Sequence, residues 1–148
     1  MAVLKEQVTI KAPRNQVFSY LEDMASRERF MSDNFGAFRL LSAQSKGVSS
    51  KIAFGFKLLR NAPSEAELVR AVWPKLLVEK GKFGDYPFTA TYNIEETPEG
   101  YTLLGLELDY PAPKGLGKLL GRSIRRELTQ AYRKALQQLR IILNAHQH

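Results

Sequence analysis

Between Phe35 and Tyr110 apolar and polar residues alternate with a period of two, the signature of strands that bury one face and wet the other. The pattern predicts six strands there: FGAFRLLSAQ, SSKIAFGFKLLR, SEAELVRAVWP, KLLVEKGKF, PFTATYNIEE and GYTLLGLELDY. Ile52, Phe54, Phe56 and Leu58 share one face of their strand. Phe88, Ala90, Tyr92 and Ile94 do the same on another, and Leu104, Leu106 and Leu108 on the last. Separators such as Ser45-Lys46-Gly47, Trp73-Pro74 and Thr97-Pro98-Glu99-Gly100 are short and turn-like, which joins neighbouring strands antiparallel. A further strand comes first. It alternates around Val8 and Ile10 and stops at Ala12, because a residue before proline avoids the helical region.

After Pro13 the period becomes helical, with Val17, Phe18 and Leu21 on one side, and ASRERFMSD predicts a second short helix. From Leu116 to Leu143 a long helix of about 42 Å is expected. Its apolar stripe is Leu116, Leu120, Ile124, Leu128, Ala131, Ala135, Leu139 and Ile142, at steps of three and four. This is the one predicted element long enough to cover the apolar face of a single antiparallel sheet. The expected class is α+β in a single domain over residues 1–148: seven antiparallel strands wrapped around a long C-terminal helix, with two short helices after the first strand.

Composition adds limits. Apolar content of 44% and charged content of 25% are those of a globular chain rather than a disordered one. Without cysteine, disulfides, thiolate metal sites and thiol catalysis are excluded. That fits a reducing compartment, and with neither an apolar N-terminal h-region nor a membrane-length apolar run, the cytoplasm is the expected location. The net charge of +7 is confined to one region. Residues 1–111 are neutral overall, whereas residues 112–148 hold eight Lys or Arg against the single Glu127. Arg122, Arg126, Arg133 and Arg140, with Lys114 and Lys118, fall opposite the apolar stripe, either as a solvated face or as a site for an anionic partner.

Catalytic chemistry is scarce. The only histidines, His146 and His148, sit in the terminal NAHQH, so no interior imidazole is available to activate a nucleophile. No His, Asp and Glu cluster has metal-ligand spacing. GLGKLLG at 115–121 lacks the phosphate-loop spacing, and the Lys11-Ala12-Pro13-Arg14-Asn15 turn lacks the glycines of a dinucleotide-binding corner. No catalytic residue, metal or cofactor is therefore expected. Glu6 shares parity with Val8 and Ile10, so it either points inward or marks an exposed strand edge. Arg70 either anchors an anionic ligand head or faces away while Val69, Ala71 and Trp73 face the core. Tyr92 brings a hydroxyl to an apolar face, where it needs a backbone carbonyl or a ligand oxygen as partner.

The order of one strand, two short helices, six strands and one long helix resembles the helix-grip superfamily of START-like and polyketide cyclase (SRPBCC) proteins. The local match is VTIKAPRNQVFSYLEDM, a strand ending at Ala12-Pro13 followed by Val17-Phe18, Leu21 and Asp23, together with the final YPAPKGLGKLLGRSIRRELTQAYRKALQQLRIIL. Where many members carry a tryptophan just after the second short helix begins, this chain reads Arg29-Phe30-Met31. The superfamily spans START lipid-transfer domains, polyketide cyclases and aromatases, plant pathogenesis-related allergens, and ribosome-associated toxin or coenzyme-Q-binding proteins. The resemblance implies a cavity between sheet and C-terminal helix for an apolar lipid, isoprenoid or polyketide-like molecule. Its inward-facing residues would be Phe54, Phe56, Trp73, Phe88, Tyr92, Leu106, Leu108, Ile124, Leu128 and Ala131. The alternatives it leaves are a cyclase or aromatase, and a ribosome- or RNA-associated protein. An anionic membrane suits a carrier, while the absence of aromatics between the helix cations argues against nucleic acid.

Overall fold

In the computed structural model the described residues are 2–31, 34–57, 62–111 and 117–145. Strand β1 (Ala2–Ile10) leads into α1 (Arg14–Glu22), a 3-10 turn (Met24–Ser26) and α2 (Arg27–Phe30). Strands β2 (Phe35–Leu40), β3 (Lys51–Phe56), β4 (Ala62–Val72), β5 (Leu76–Phe83), β6 (Tyr86–Glu96) and β7 (Thr102–Tyr110) follow, then helix α3 (Gly117–Ala145). All pairings are antiparallel in the order β1-β7-β6-β5-β4-β3-β2. The α+β helix-grip class predicted above is the observed one.

Register carries the inner face across the sheet in rows. One row runs Leu4, Leu108, Ala90, Glu79 and Leu68, each paired with the next. All five are buried, and Glu79 alone is polar. In β4 the inward residues are Ser64, Ala66 and Leu68, followed by an irregularity between Leu68 and Arg70 that shifts the parity. The expected face of Val69, Ala71 and Trp73 is therefore corrected. Val69 is exposed, Ala71 packs partly on the core, and Trp73 is 58% exposed because β4 has already ended at Val72. The Trp73 ring meets Phe18 edge-on, with centroids 5.0 Å apart. Leu58, Leu116 and the side chain of Leu120, expected on apolar faces, lie outside the described residues.

The proline corner turns the chain off the sheet. Pro13 is extended at the N-cap of α1, and its carbonyl accepts from the backbone N–H groups of Gln16 and Val17. Val17, Phe18 and Leu21 are then buried, against an end of β5 and β6. Asp23 caps the following 3-10 turn through the Ala25 N–H.

Helix α3 lies along the edge strand β1 and is tied to it three times. Arg125 Nη1 donates to the Val3 carbonyl at 3.0 Å, Arg133 pairs with Glu6 at 2.8 Å, and Asn144 Oδ1 accepts from the Lys11 N–H at 2.8 Å. The spans match: helix from 125 to 144 rises about 28 Å, and extended chain from 3 to 11 rises about 27 Å. Helix α3 thereby covers the β1 edge, where the Arg125 bond satisfies the Val3 carbonyl.

Candidate functional site

Two features stand out between the sheet and α3. The first is a buried polar cluster. Burial of Val17, Phe18 and Leu21 draws the 3-10 turn and α2 down against the sheet, which sets Arg27 inside with 1% of its surface exposed. Its Nη1 donates to the Leu21 carbonyl at 2.7 Å and to Ser26 Oγ at 3.2 Å, and Nη2 meets Glu79 Oε2 at 3.3 Å. The Tyr92 hydroxyl donates to Glu79 Oε1 at 3.4 Å. The guanidinium also lies over the rings of Tyr92 and Phe30, 5.4 and 5.6 Å from their centroids. Among the described residues Arg27 Nε has no hydrogen-bond partner.

Each charge explains the others. Burial pulls the Arg27 guanidinium down, but Glu79 and then Tyr92 outweigh it, so its pKa is raised and it stays charged. Burial, then the Glu79 carboxylate, pushes the Tyr92 phenol up from its ordinary value against the opposing pull of Arg27. Tyr132 of α3 is raised for the same first reason, with Tyr92 and Glu79 adding to it. The partner that Tyr92 needs is thus a carboxylate of the chain itself.

The second feature is an apolar pocket of about 20 Å³ under the first described turns of α3. Phe56, Phe83, Tyr86 and Tyr110 supply it from the sheet, and Ile124 and Leu128 from the helix. Its volume is that of one water. Elsewhere the interior is packed with rings: Phe83 stacks on Phe88 at 4.2 Å, and Phe35 meets Phe56 at 4.9 Å and Tyr132 at 5.7 Å.

Of the expected ligand set, Phe56, Ile124 and Leu128 are brought together at this pocket. Phe54, Phe88, Tyr92, Leu106, Leu108 and Ala131 are buried in the surrounding core, and Trp73 lies outside it. Arg70 is exposed beside the β4 irregularity, which removes it as an interior anchor. Glu6 does turn toward α3, where it is held by Arg133 with 16% of its side chain exposed. Arg126, Arg133 and Arg140 are exposed as expected, and the Arg122 side chain lies outside the described residues. A larger depression of about 560 Å³ lies over β1, β6 and β7, where Lys5, Gln7, Asn93, Glu95 and Glu107 make it a polar trough that also touches Glu6, Leu103 and Leu106.

Sequence reasoning missed Arg27, Glu79, Phe83, Tyr86 and Tyr110. For Glu79 and Phe83 the signal was present in KLLVEKGKF: Lys80 and Lys82 claim the wet parity, which sends Leu77, Glu79 and Phe83 inward.

The family model described as polyketide cyclase/dehydrase and lipid transport matches residues 1–142. The chain belongs to this family. Its members are START-like, small-molecule-binding proteins. Solved structures share the fold at low identity. A crystal structure from Thermus thermophilus superposes with a TM-score of 0.79 at 14% identity, over 99% of this chain and all of its own. A hypothetical protein of Helicobacter pylori gives 0.74 at 14% identity, over 96% of this chain and 88% of its own. The Aha1 dimer from Colwellia psychrerythraea gives 0.70 at 12% identity, over 97% of each chain. No curated protein sequence matches the chain.

Proposed function

We propose that this protein binds an apolar small molecule, of lipid, isoprenoid or polyketide-like chemistry, between its sheet and α3. The observation that carries the reading is the pocket of Phe56, Phe83, Tyr110, Ile124 and Leu128, apolar on both the sheet and the helix side. At about 20 Å³ it is a seed rather than a finished site. An elongated ligand enlarges it by moving α3 outward where Ile124 and Leu128 sit, at the cost of the exposed Arg125–Val3 hydrogen bond, while the ties at Glu6 and Lys11 hold the C-terminal part of the helix. A ligand then exchanges exposed apolar surface for contact with aromatic rings, which is a favourable transfer.

A cyclase reading draws on a different observation, the carboxylate, guanidinium and phenol gathered in Glu79, Arg27 and Tyr92 inside an apolar interior. These groups are already turned on one another and are closed off from solvent, which favours binding over turnover. Native mass spectrometry of the chain purified from its own host separates the two. The carrier reading predicts retained mass of an apolar compound, lost in Leu128→Arg, and no turnover of a poly-keto substrate. Turnover abolished by Tyr92→Phe overturns it in favour of the enzyme.

A further inference from the structure

From residue 123 to residue 144 the exposed side of α3 carries Arg125, Arg126, Arg133, Lys134 and Arg140 and no exposed carboxylate. Glu127, the one acid of the helix, is half-buried on another side. Two of these cations have structural work: Arg125 on the Val3 carbonyl and Arg133 on Glu6. Arg126, Lys134 and Arg140 have no ion pair among the described residues, and together they leave a face of unopposed positive charge. Arg126, Arg133 and Arg140 recur every seven residues, so they follow one line of the helix over about 21 Å. Gln130 and Gln137 fill that line, and Ile141 beside it is 59% exposed, the most exposed large aliphatic side chain described.

We infer that this face docks the protein on an anionic lipid surface. Guanidinium groups along a straight line suit a plane of phosphates, which accept from them in pairs. An exposed aliphatic residue among the cations reaches the boundary between headgroups and acyl chains, as on helices that lie in a membrane interface. Nucleic acid fits less well. Single strands are held by aromatic rings set between cations, and Tyr132, the one aromatic of α3, is buried on the opposite side. The contact is peripheral, since no described helix is long and apolar enough to cross a membrane. The inference goes beyond the ligand reading and stands without it, because it rests on the outward face alone. Where both hold, the same two turns of α3 present Arg126 to the headgroups and Ile124 and Leu128 to the pocket.

Co-sedimentation of the full chain with vesicles tests it, using equimolar phosphatidylcholine and phosphatidylglycerol against phosphatidylcholine alone, with a single-stranded RNA homopolymer in parallel. Binding is expected to the anionic vesicles only, falling steeply as salt is raised. The triple variant Arg126→Gln, Lys134→Gln, Arg140→Gln keeps the fold, because all three side chains are exposed and glutamine retains helix propensity. It should lower vesicle affinity on the order of a hundredfold, three cations' worth of surface attraction. Ile141→Ser should weaken binding while leaving its salt dependence unchanged. Wild-type protein that ignores anionic vesicles at low salt, a triple variant that binds as well as wild type, or tighter binding to RNA than to vesicles each overturns the proposal.

Discussion

The ion pair of Arg27 and Glu79 is a charge buried where the neighbouring rows are leucine, alanine and phenylalanine, and its cost decides how it behaves on mutation. Removing one partner strands the other in the core, which typically costs about 3–5 kcal/mol, whereas replacing both with apolar groups is often neutral. Glu79→Gln should therefore lower the melting temperature by roughly 10 °C for a chain of this size, and Arg27→Met with Glu79→Leu should recover most of that loss. If the double variant melts as low as the single one, the pair stabilises in a way this account lacks. The tyrosines beside the pair predict a pH effect with a definite sign. Tyr92 and Tyr132 are held neutral in the folded chain by burial, so their pKa values are raised there. Below about pH 10, the ordinary phenol value, both are neutral in folded and unfolded chains and contribute no slope. Above it only the unfolded chain ionises them, so stability falls as pH rises. Denaturant midpoints measured across that range should fall less steeply in the Tyr92→Phe, Tyr132→Phe variant, and parallel slopes would contradict the assignment.

At the scale of elements, Gly81 of β5 pairs with Ala66 of β4, with the β4 backbone close beside it. A Cβ built on Gly81 runs into the Glu65 carbonyl oxygen, a backbone atom with nowhere to yield. On the outward face, a Cβ at Gly105 meets only Asn93 atoms at 3.9 Å and beyond, an ordinary contact. Gly81→Ala should thus destabilise by about 1–3 kcal/mol or more, while Gly105→Ala stays within about 0.5 kcal/mol. Equal denaturant midpoints for the two variants would argue against that close approach. The same scale explains what was legible in advance. Alternation of Ile52, Phe54 and Phe56, and of Leu104, Leu106 and Leu108, is a local property, so the strands and their inward faces could be read from the chain. The β4 irregularity is not local. It moves the inward parity between Leu68 and Ala71: the parity of Ala71, carried back through it, puts the exposed Val69 inside, whereas Trp73 is turned out because β4 ends at Val72. Arg27 was hidden for another reason: a charged residue in ASRERFMSD reads as solvated until packing of Phe18 and Leu21 fixes which side of the turn is inside.

Across the whole molecule, sheet and helix are joined asymmetrically. The described ties between α3 and β1 run from Arg125 to Asn144, and polar contacts hold the C-terminal half at Glu6 and Lys11. The other half rests on the apolar pocket, on the partly buried Ile124, and on the single exposed bond from Arg125 to the Val3 carbonyl. The proposed function requires that the pocket end, held by apolar contacts and the one exposed Arg125 bond, open over an apolar guest while the ties at Glu6 and Lys11 stay closed. Of the expected ligand set, Phe56, Ile124 and Leu128 line this pocket, and Phe83, Tyr86 and Tyr110, which no local pattern in the chain groups with them, join them there through tertiary packing. The most direct test is a methyl-labelled nuclear magnetic resonance titration of the intact chain with farnesol as an apolar probe. The account predicts saturable shifts centred on the methyl groups of Ile124 and Leu128, with Leu4 and Leu139 unmoved. Shifts absent from Ile124 and Leu128, or spread evenly over the exposed leucines and valines, would contradict it.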